Sequence, residues 1–294
     1  MIEIPESNTI TNQLNEVIKG KKVVGVVTNN SPHKFAFFYG DNKKYSDILK
    51  GKTITNVNAY GGQIEILANE NSFSDENNEG DFSDENDNVS IVLGEDTKIR
   101  YIENNKELPE KHQLLIRFDD LSYLVCSAHM YAQLHVALAK DYNNEYFDIA
   151  KEKPSPLSND FDMLYFEDLL EEVRPNTSIK SFLATKQRIP GLGNGTLQDI
   201  LFNAKIHPKT KIKKLSKEDK ERLFSSVKST LEDMVKGSGR NTEKTLFGDF
   251  GDYKVILSNK TFKDPCPVCG SKLVKESYLG GTIYFCPVCQ KLDS

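Results

Sequence analysis

The sequence predicts an α+β protein: a β-rich first half, then a helical segment, then a small cysteine-bearing hairpin. Three observations carry this. Short alternating apolar runs fill the first half, helical periodicity follows a proline-marked break at residues 151–157 (KEKPSPL), and four of the five cysteines stand in two CxxC pairs near the C-terminus.

Each element is justified in turn. A short helix is expected at residues 11–18, with Leu14, Val17 and Ile18 on one side and Gly20 to end it. Strand patterns follow at residues 22–28, 34–39, 54–59, 63–68, 89–93, 98–102, 113–118 and 122–127, and the last two read as a hairpin turning on Asp119-Asp120. Residues 69–88 hold eight acids, no Lys or Arg, and the string FSDEN twice. Their composition suits an inserted, solvated loop, with mimicry of DNA or contact with a partner as the sharper alternative. Beyond the break, Phe166, Leu169, Leu170 and Val173 share a helical face, as do Ile179, Phe182 and Leu183. Ser216 reads as an N-cap with Asp219 three residues on, opening a helix striped by Leu223, Phe224, Val227, Leu231 and Val235 and stopped by Gly237. The segments are therefore 1–150, 151–260 and 261–294.

The net charge of -5 conceals an asymmetry. From Asn176 onward there are 21 Lys and Arg against 12 Asp and Glu, so the C-terminal half is basic and suited to phosphate. No apolar run approaches the roughly 20 residues of a membrane span. The opening MIEIPESN lacks the basic and apolar regions of a secretory signal, which points to a cytoplasmic protein.

Cys266, Cys269, Cys286 and Cys289 can close a tetrahedron of thiolates around one Zn²⁺, and four such ligands leave no open position, so the ion is expected to be structural. Disulfide pairing is the weaker reading for a cytosolic chain. The intervening segment reads as a hairpin turning at Gly280-Gly281, and Cys126 sits in an apolar strand as a buried thiol. The run 189–194 (IPGLGN) leads into a helix over 195–204, with Asn194 as its N-cap and Gly193 giving close access to backbone N–H groups. Taken alone, a glycine-rich helix start is more often simple geometry than a phosphate site, and His207 before Pro208 reads as a packing histidine.

Together these pieces resemble one family. Residues 190–208 (PGLGNGTLQDILFNAKIHP) are similar to the helix–two-turn–helix of the formamidopyrimidine-DNA glycosylase and endonuclease VIII family. Pro156-Leu157-Ser158 with Phe161, the terminal cysteines, and Glu3, Pro5 and Glu6 in MIEIPE resemble its other motifs, in the same order along the chain. The resemblance implies an N-terminal β-sandwich with a flanking helix, then a helix–two-turn–helix domain with a C-terminal four-Cys zinc hairpin, and double-stranded DNA, damaged or abasic, in the cleft between. It also implies that a damaged nucleotide is flipped out, that an N-terminal amine attacks C1′ to give a Schiff base, and that the neighbouring Glu3 assists proton transfer. Asn194 matches the family's phosphate-contacting Asn, and a monomer is expected.

The sequence also departs from the pattern. Ile2 stands at the nucleophile position, where its bulk disfavours removal of Met1. The family's strand lysine falls at Gly61 or Gly62, its wedging methionine at Glu95, and its Arg-Phe wedge at Met130-Tyr131, which keeps the aromatic. The hairpin's phosphate-binding arginine falls on Gly280 or Gly281, with Lys275 nearby but lacking a guanidinium's fork. Two readings result: a divergent glycosylase with AP-lyase activity on oxidised bases or abasic sites, using Ile2 or Met1 with Glu3, or a non-catalytic DNA-binding relative that kept the fold and lost the nucleophile.

Overall fold

The computed structural model describes residues 1–70, 88–104 and 106–292, so both FSDEN copies of the acidic insertion lie outside the described residues. The chain opens with helix α1 (Ile4–Ile18). It then runs through β1 (Val23–Thr28), β2 (Ala36–Phe38), α2 (Tyr45–Leu49), β3 (Thr53–Tyr60), β4 (Gln63–Asn69), β5 (Val89–Ile102), β6 (Leu114–Phe118) and β7 (Tyr123–Leu138). Helices α3 (Glu145–Glu152), α4 (Met163–Glu171), α5 (Ile179–Ala184), α6 (Leu197–Asn203) and α7 (Lys217–Lys236) follow, and a hairpin of β8 (Val274–Tyr278) and β9 (Gly281–Phe285) comes last.

The first seven strands form one sheet ordered β1-β6-β7-β5-β4-β3, with β2 lying parallel beside β7. The pattern suggested separate strands at 89–93 and 98–102. They are one strand, bent where the register with β7 slips at Glu95, Asp96 and Thr97 and where Glu95 adopts a φ of 56°. Alternation breaks at such a bulge, which is why the halves look independent in sequence. β7 likewise extends eleven residues past the expected end, through a stretch the pattern did not mark. The bend folds the sheet over itself, so Ile64, Ile66 and Ile91 from one half share a core with Ile99, Ile116 and Phe118 from the other. The two edges then meet: Val23 N donates to Lys52 O at 2.8 Å and Ile54 N to Lys21 O at 2.9 Å. A sandwich with joined edges is the result.

Helix α1 lies across this layer. Ile10, Leu14 and Ile18, spaced by four, enter the sheet core, each worth roughly 1.5–3 kcal/mol of burial. Ile4 instead enters the core of the helical segment. The helix begins at Ile4 rather than near residue 11. Pro5 fits the first turn, and the polar residues that hid this turn from periodicity are buried: Glu3 and Glu6 against the second half of the molecule, Ser7 against Gly61.

The helical core gathers Phe161, Phe166, Phe182, Leu201, Leu223 and Leu231. α7 carries the Ser216–Asp219 capping box the sequence indicated. Gly237 ends it, although the left-handed residue is Ser238 at a φ of 52°. The Lys228 ammonium closes the proline-marked segment onto this helix, donating to the carbonyls of Pro156 at 3.1 Å, Ser158 at 2.7 Å and Phe161 at 3.2 Å. In the final hairpin Tyr278 pairs with Gly281. The turn is therefore Leu279-Gly280, both at positive φ, one residue earlier than glycine counting suggested. Among the described residues no helix is long and apolar enough to cross a membrane.

Candidate functional site

The N-terminal segment threads between the two halves. Ile2 N donates to Glu95 O at 2.7 Å and Ile4 N to Gly191 O at 3.0 Å, while Ser7 Oγ donates to Gly61 O at 2.6 Å. A side chain on Gly191 would put its Cβ 2.1 Å from Gly62 N, and one on Gly193 would sit 2.5 Å from Glu3 Cδ. These glycines let the β3–β4 turn, residues 2–4 and the 190–195 loop touch backbone to backbone. They border a cleft of about 220 Å³ whose walls include Ile2, Glu3, Gln63, Glu95, Gln133 and Gly193.

Glu3 is the hinge of this arrangement. Its carboxylate accepts from Gly195 N at 2.9 Å and Thr196 N at 2.8 Å, which stabilises the N-terminus of α6 with a buried negative charge. Arg240, itself buried, binds Glu6 through Nε at 2.9 Å and Nη2 at 2.7 Å and lies 3.7 Å from Glu3. The sequence placed Asn194 as the cap and read the glycine-rich start, taken alone, as more often geometry than a phosphate site. The structure corrects the cap: the protein supplies its own anion, Glu3, to these amides, and the Asn194 side chain bonds elsewhere. Asn194 is exposed, and its Nδ2 donates to Thr282 O of β9 at 3.0 Å.

The N-terminal ammonium faces acids. It lies 3.1 Å from Asp96 Oδ1 and 3.4 Å from Glu243 Oε2. Burial disfavours its charge, but Glu243 and Asp96 outweigh that and hold its pKa above the usual range. Asp96 also bonds His129 Nδ1 at 2.7 Å. Against the pull of burial, this bond and the ammonium keep its carboxyl below the usual range. Burial raises the pKa of Glu95 beside it. On the cleft wall, Gln133 Nε2 donates to Gln63 Oε1 and to the Tyr142 hydroxyl, each at 3.0 Å. Tyr142 in turn contacts His135 Nδ1 at 2.8 Å, an imidazole that burial lowers to about 4 and so keeps neutral.

The cysteine pairs converge. The four sulfurs of Cys266, Cys269, Cys286 and Cys289 lie within 4.8 Å of one another. Cys266–Cys289 at 3.8 Å and Cys269–Cys286 at 3.5 Å match the edge of about 3.8 Å of a tetrahedron with metal–sulfur bonds near 2.3 Å. This set can hold a metal ion. The hairpin and its flanking segments dock on and beside α6 through residues that composition did not flag: Gln198 takes Tyr284 N at 3.0 Å, buried Gln290 donates to Ile206 O at 3.0 Å, and Asp199 accepts from Ile256 N and Leu257 N. His207 stacks edgewise on Phe285 at 4.3 Å, the packing role expected for it.

Three comparisons bear on this geometry. Residues 153–245 match the model of the formamidopyrimidine-DNA glycosylase H2TH domain. Over 294 residues the chain is 27% identical to the formamidopyrimidine-DNA glycosylase of a Wolbachia strain from Drosophila simulans, covering 99% of this chain and all of that one. The chain carries the H2TH domain of formamidopyrimidine-DNA glycosylases at residues 153–245 and is similar to such glycosylases over its whole length. The Bacillus cereus glycosylase is 24% identical over 297 residues, with 99% of each chain covered. A Lactococcus lactis glycosylase solved with DNA carrying N7-benzyl-Fapy-dG superposes with a TM-score of 0.78 at 22% identity, covering 99% and 100%. The Thermus thermophilus protein superposes at 0.75 and 20%, again over 99% and 100%.

The family's motifs are thus brought together unevenly. Ile2, Glu3 and Gly193 meet at the cleft. Tyr131 stands exposed, at a φ of 53°. Lys275 lies on the other flank of the hairpin, bonded to Asn259 Oδ1 at 2.7 Å and over the Phe262 ring. The cation beside Asn194 is Lys180 of α5. A Cβ on Gly281 would sit 3.3 Å from Lys180 Nζ and 3.6 Å from Asn194 Oδ1. Sequence reasoning missed it because a single lysine within an amphipathic helix carries no distinguishing pattern. Arg240 was missed because an arginine directly after Gly237-Ser238-Gly239 reads as solvated.

Proposed function

We propose that this protein is a DNA glycosylase with AP-lyase activity in base-excision repair, acting on oxidised bases or abasic sites in double-stranded DNA. One observation carries the reading: the N-terminal amine segment and the Glu3-capped start of α6 line the same cleft. On a ring-opened abasic sugar the neutral amine adds to the C1′ aldehyde. The carbinolamine then loses water to give a protonated imine, and loss of a C2′ proton breaks the C3′–O bond. The nucleophile is the amine that heads the chain, Met1 as the structure stands and Ile2 where Met1 is removed. Asp96 and Glu243 hold it, and Glu243, whose carboxyl burial keeps above the usual range, takes up its proton. Glu3 fixes the segment against α6, while Asn194 with Lys180 contacts the phosphate backbone and Tyr131 wedges the duplex. The four cysteines hold one structural Zn²⁺, which stabilises the hairpin that carries Thr282 against Asn194.

Borohydride trapping on duplex DNA with an abasic site tests this. A covalent complex is expected, abolished by blocking the amine and reduced by Glu3→Gln, and its peptide mass identifies the attacking residue. DNA bound without any adduct would sink the lyase chemistry and leave a non-catalytic DNA-binding relative.

A further inference from the structure

Two glutamines meet on the cleft wall at the bend of the sheet. Gln63 begins β4 and Gln133 lies within β7. Strand β5 runs between those two and sets Gly94 opposite Gln133. Each glutamine is 9% exposed. Gly94 is the gap that lets them touch, because a Cβ there would sit 2.7 Å from Gln133 Oε1 and 3.1 Å from Gln63 Cγ. From Gln133 the polar contacts continue inward through the Tyr142 hydroxyl to His135 Nδ1.

The inner end fixes the polarity of this chain. Burial keeps His135 neutral, so one ring nitrogen carries a proton and the other accepts. Gln133 Nε2, a donor, stands 3.4 Å from Nδ1, which makes Nδ1 the accepting nitrogen. The Tyr142 hydroxyl then donates to Nδ1, and its oxygen accepts one Gln133 amide proton. The other Gln133 proton goes to Gln63 Oε1. Gln63 is thereby left with a committed oxygen and an amino group still able to donate.

We propose that Gln63 donates to a carbonyl oxygen of the base brought into the cleft, so that it selects bases presenting such an acceptor at that edge. The inference rests on the glycosylase reading above and deepens it, since Gln63 shares the cleft with Ile2 and Glu3. An exocyclic amino group in the same place would set donor against donor. Both groups would then lose water without gaining a bond, which is how a site of fixed polarity rejects a ligand. Gln133, Tyr142 and His135 are positioning residues that hold the Gln63 amide in one orientation.

The test uses three duplexes: one with 8-oxoguanine, one with dihydrouracil, and one with an abasic site, which offers no base to read. Wild-type protein is expected to excise at least one of the two bases and to be trapped by borohydride on the abasic site. Gln63→Met should lower the ratio of base excision to abasic trapping about tenfold, the scale of one lost hydrogen bond. Tyr142→Phe removes the hydroxyl that orients Gln133 and should lower the ratio less. The double variant should match Gln63→Met, because both changes act on one donor. An unchanged ratio in Gln63→Met overturns the proposal, whether both activities persist or both fall together. Fully additive losses in the double variant overturn the positioning chain. Wild-type protein that is trapped but excises neither base overturns base reading by Gln63, whereas protein that neither traps nor excises removes the glycosylase reading itself, and this inference with it.

Discussion

Replacing Arg240 by Met removes the buried cation that joins the two halves while keeping most of its volume. Arg240 is 3% exposed and gives Glu6 two charge-assisted bonds, at 2.9 and 2.7 Å. Glu3, 3.7 Å away, retains its two backbone donors, so Glu6 carries most of the loss. Leaving one partner of a buried pair uncompensated costs roughly 3–5 kcal/mol. Against a total stability of about 5–15 kcal/mol this is a severe defect, with a fall in Tm on the order of 10 °C. Urea and thermal unfolding of Arg240→Met, Glu6→Gln and the double variant measure it. The double variant should be more stable than the two single losses summed would give, by more than 1 kcal/mol. An Arg240→Met protein within 1 kcal/mol of wild type, or strictly additive losses, would refute the view that this pair is dry and coupled.

Cys286→Ser should lose stoichiometric zinc and expose the amides of β8 and β9 to hydrogen exchange; unchanged metal content would contradict the four-thiolate site. Lys180→Met should weaken binding to duplex DNA about tenfold and reduce the log–log salt slope by about one, whereas an unaltered slope would remove Lys180 from the phosphate contacts. His135 should make the protein acid-sensitive. Its pKa falls from about 6.5 unfolded to about 4 folded through burial, so its contribution is present above pH 6.5 and is lost as pH falls through 4. That contribution is at most roughly 3 kcal/mol. Stability followed from pH 7 to 4 should decline less steeply for His135→Gln, and parallel curves would argue against a neutral buried imidazole.

Much of this fold was legible. The strand positions, the α7 capping box and the cysteine pairs each rest on local chemistry, and local chemistry is what a sequence displays. Three features were not legible, for one physical reason. The first turn of α1 is polar because its partners, Arg240 and the amides of residues 195–196, lie more than 190 positions away. The bent β5 breaks alternation at Glu95 because a bulge moves side chains off register. Asn194 has every local mark of a cap, yet a distant carboxylate took that place and freed it to reach β9. Non-local partners decided each case, and spacing along the chain does not encode them.

Helix α1 contributes Ile4 to one core and Ile10, Leu14 and Ile18 to the other, which bears on how such a protein can be inherited. A crossover at the proline-marked break would look neutral in sequence, since it cuts between compact segments. It would nevertheless bring a foreign Glu3–Glu6 pair against an unmatched Arg240 and Gly193. A change in the first turn of the chain is therefore answered in the loop after α7, more than 230 positions away.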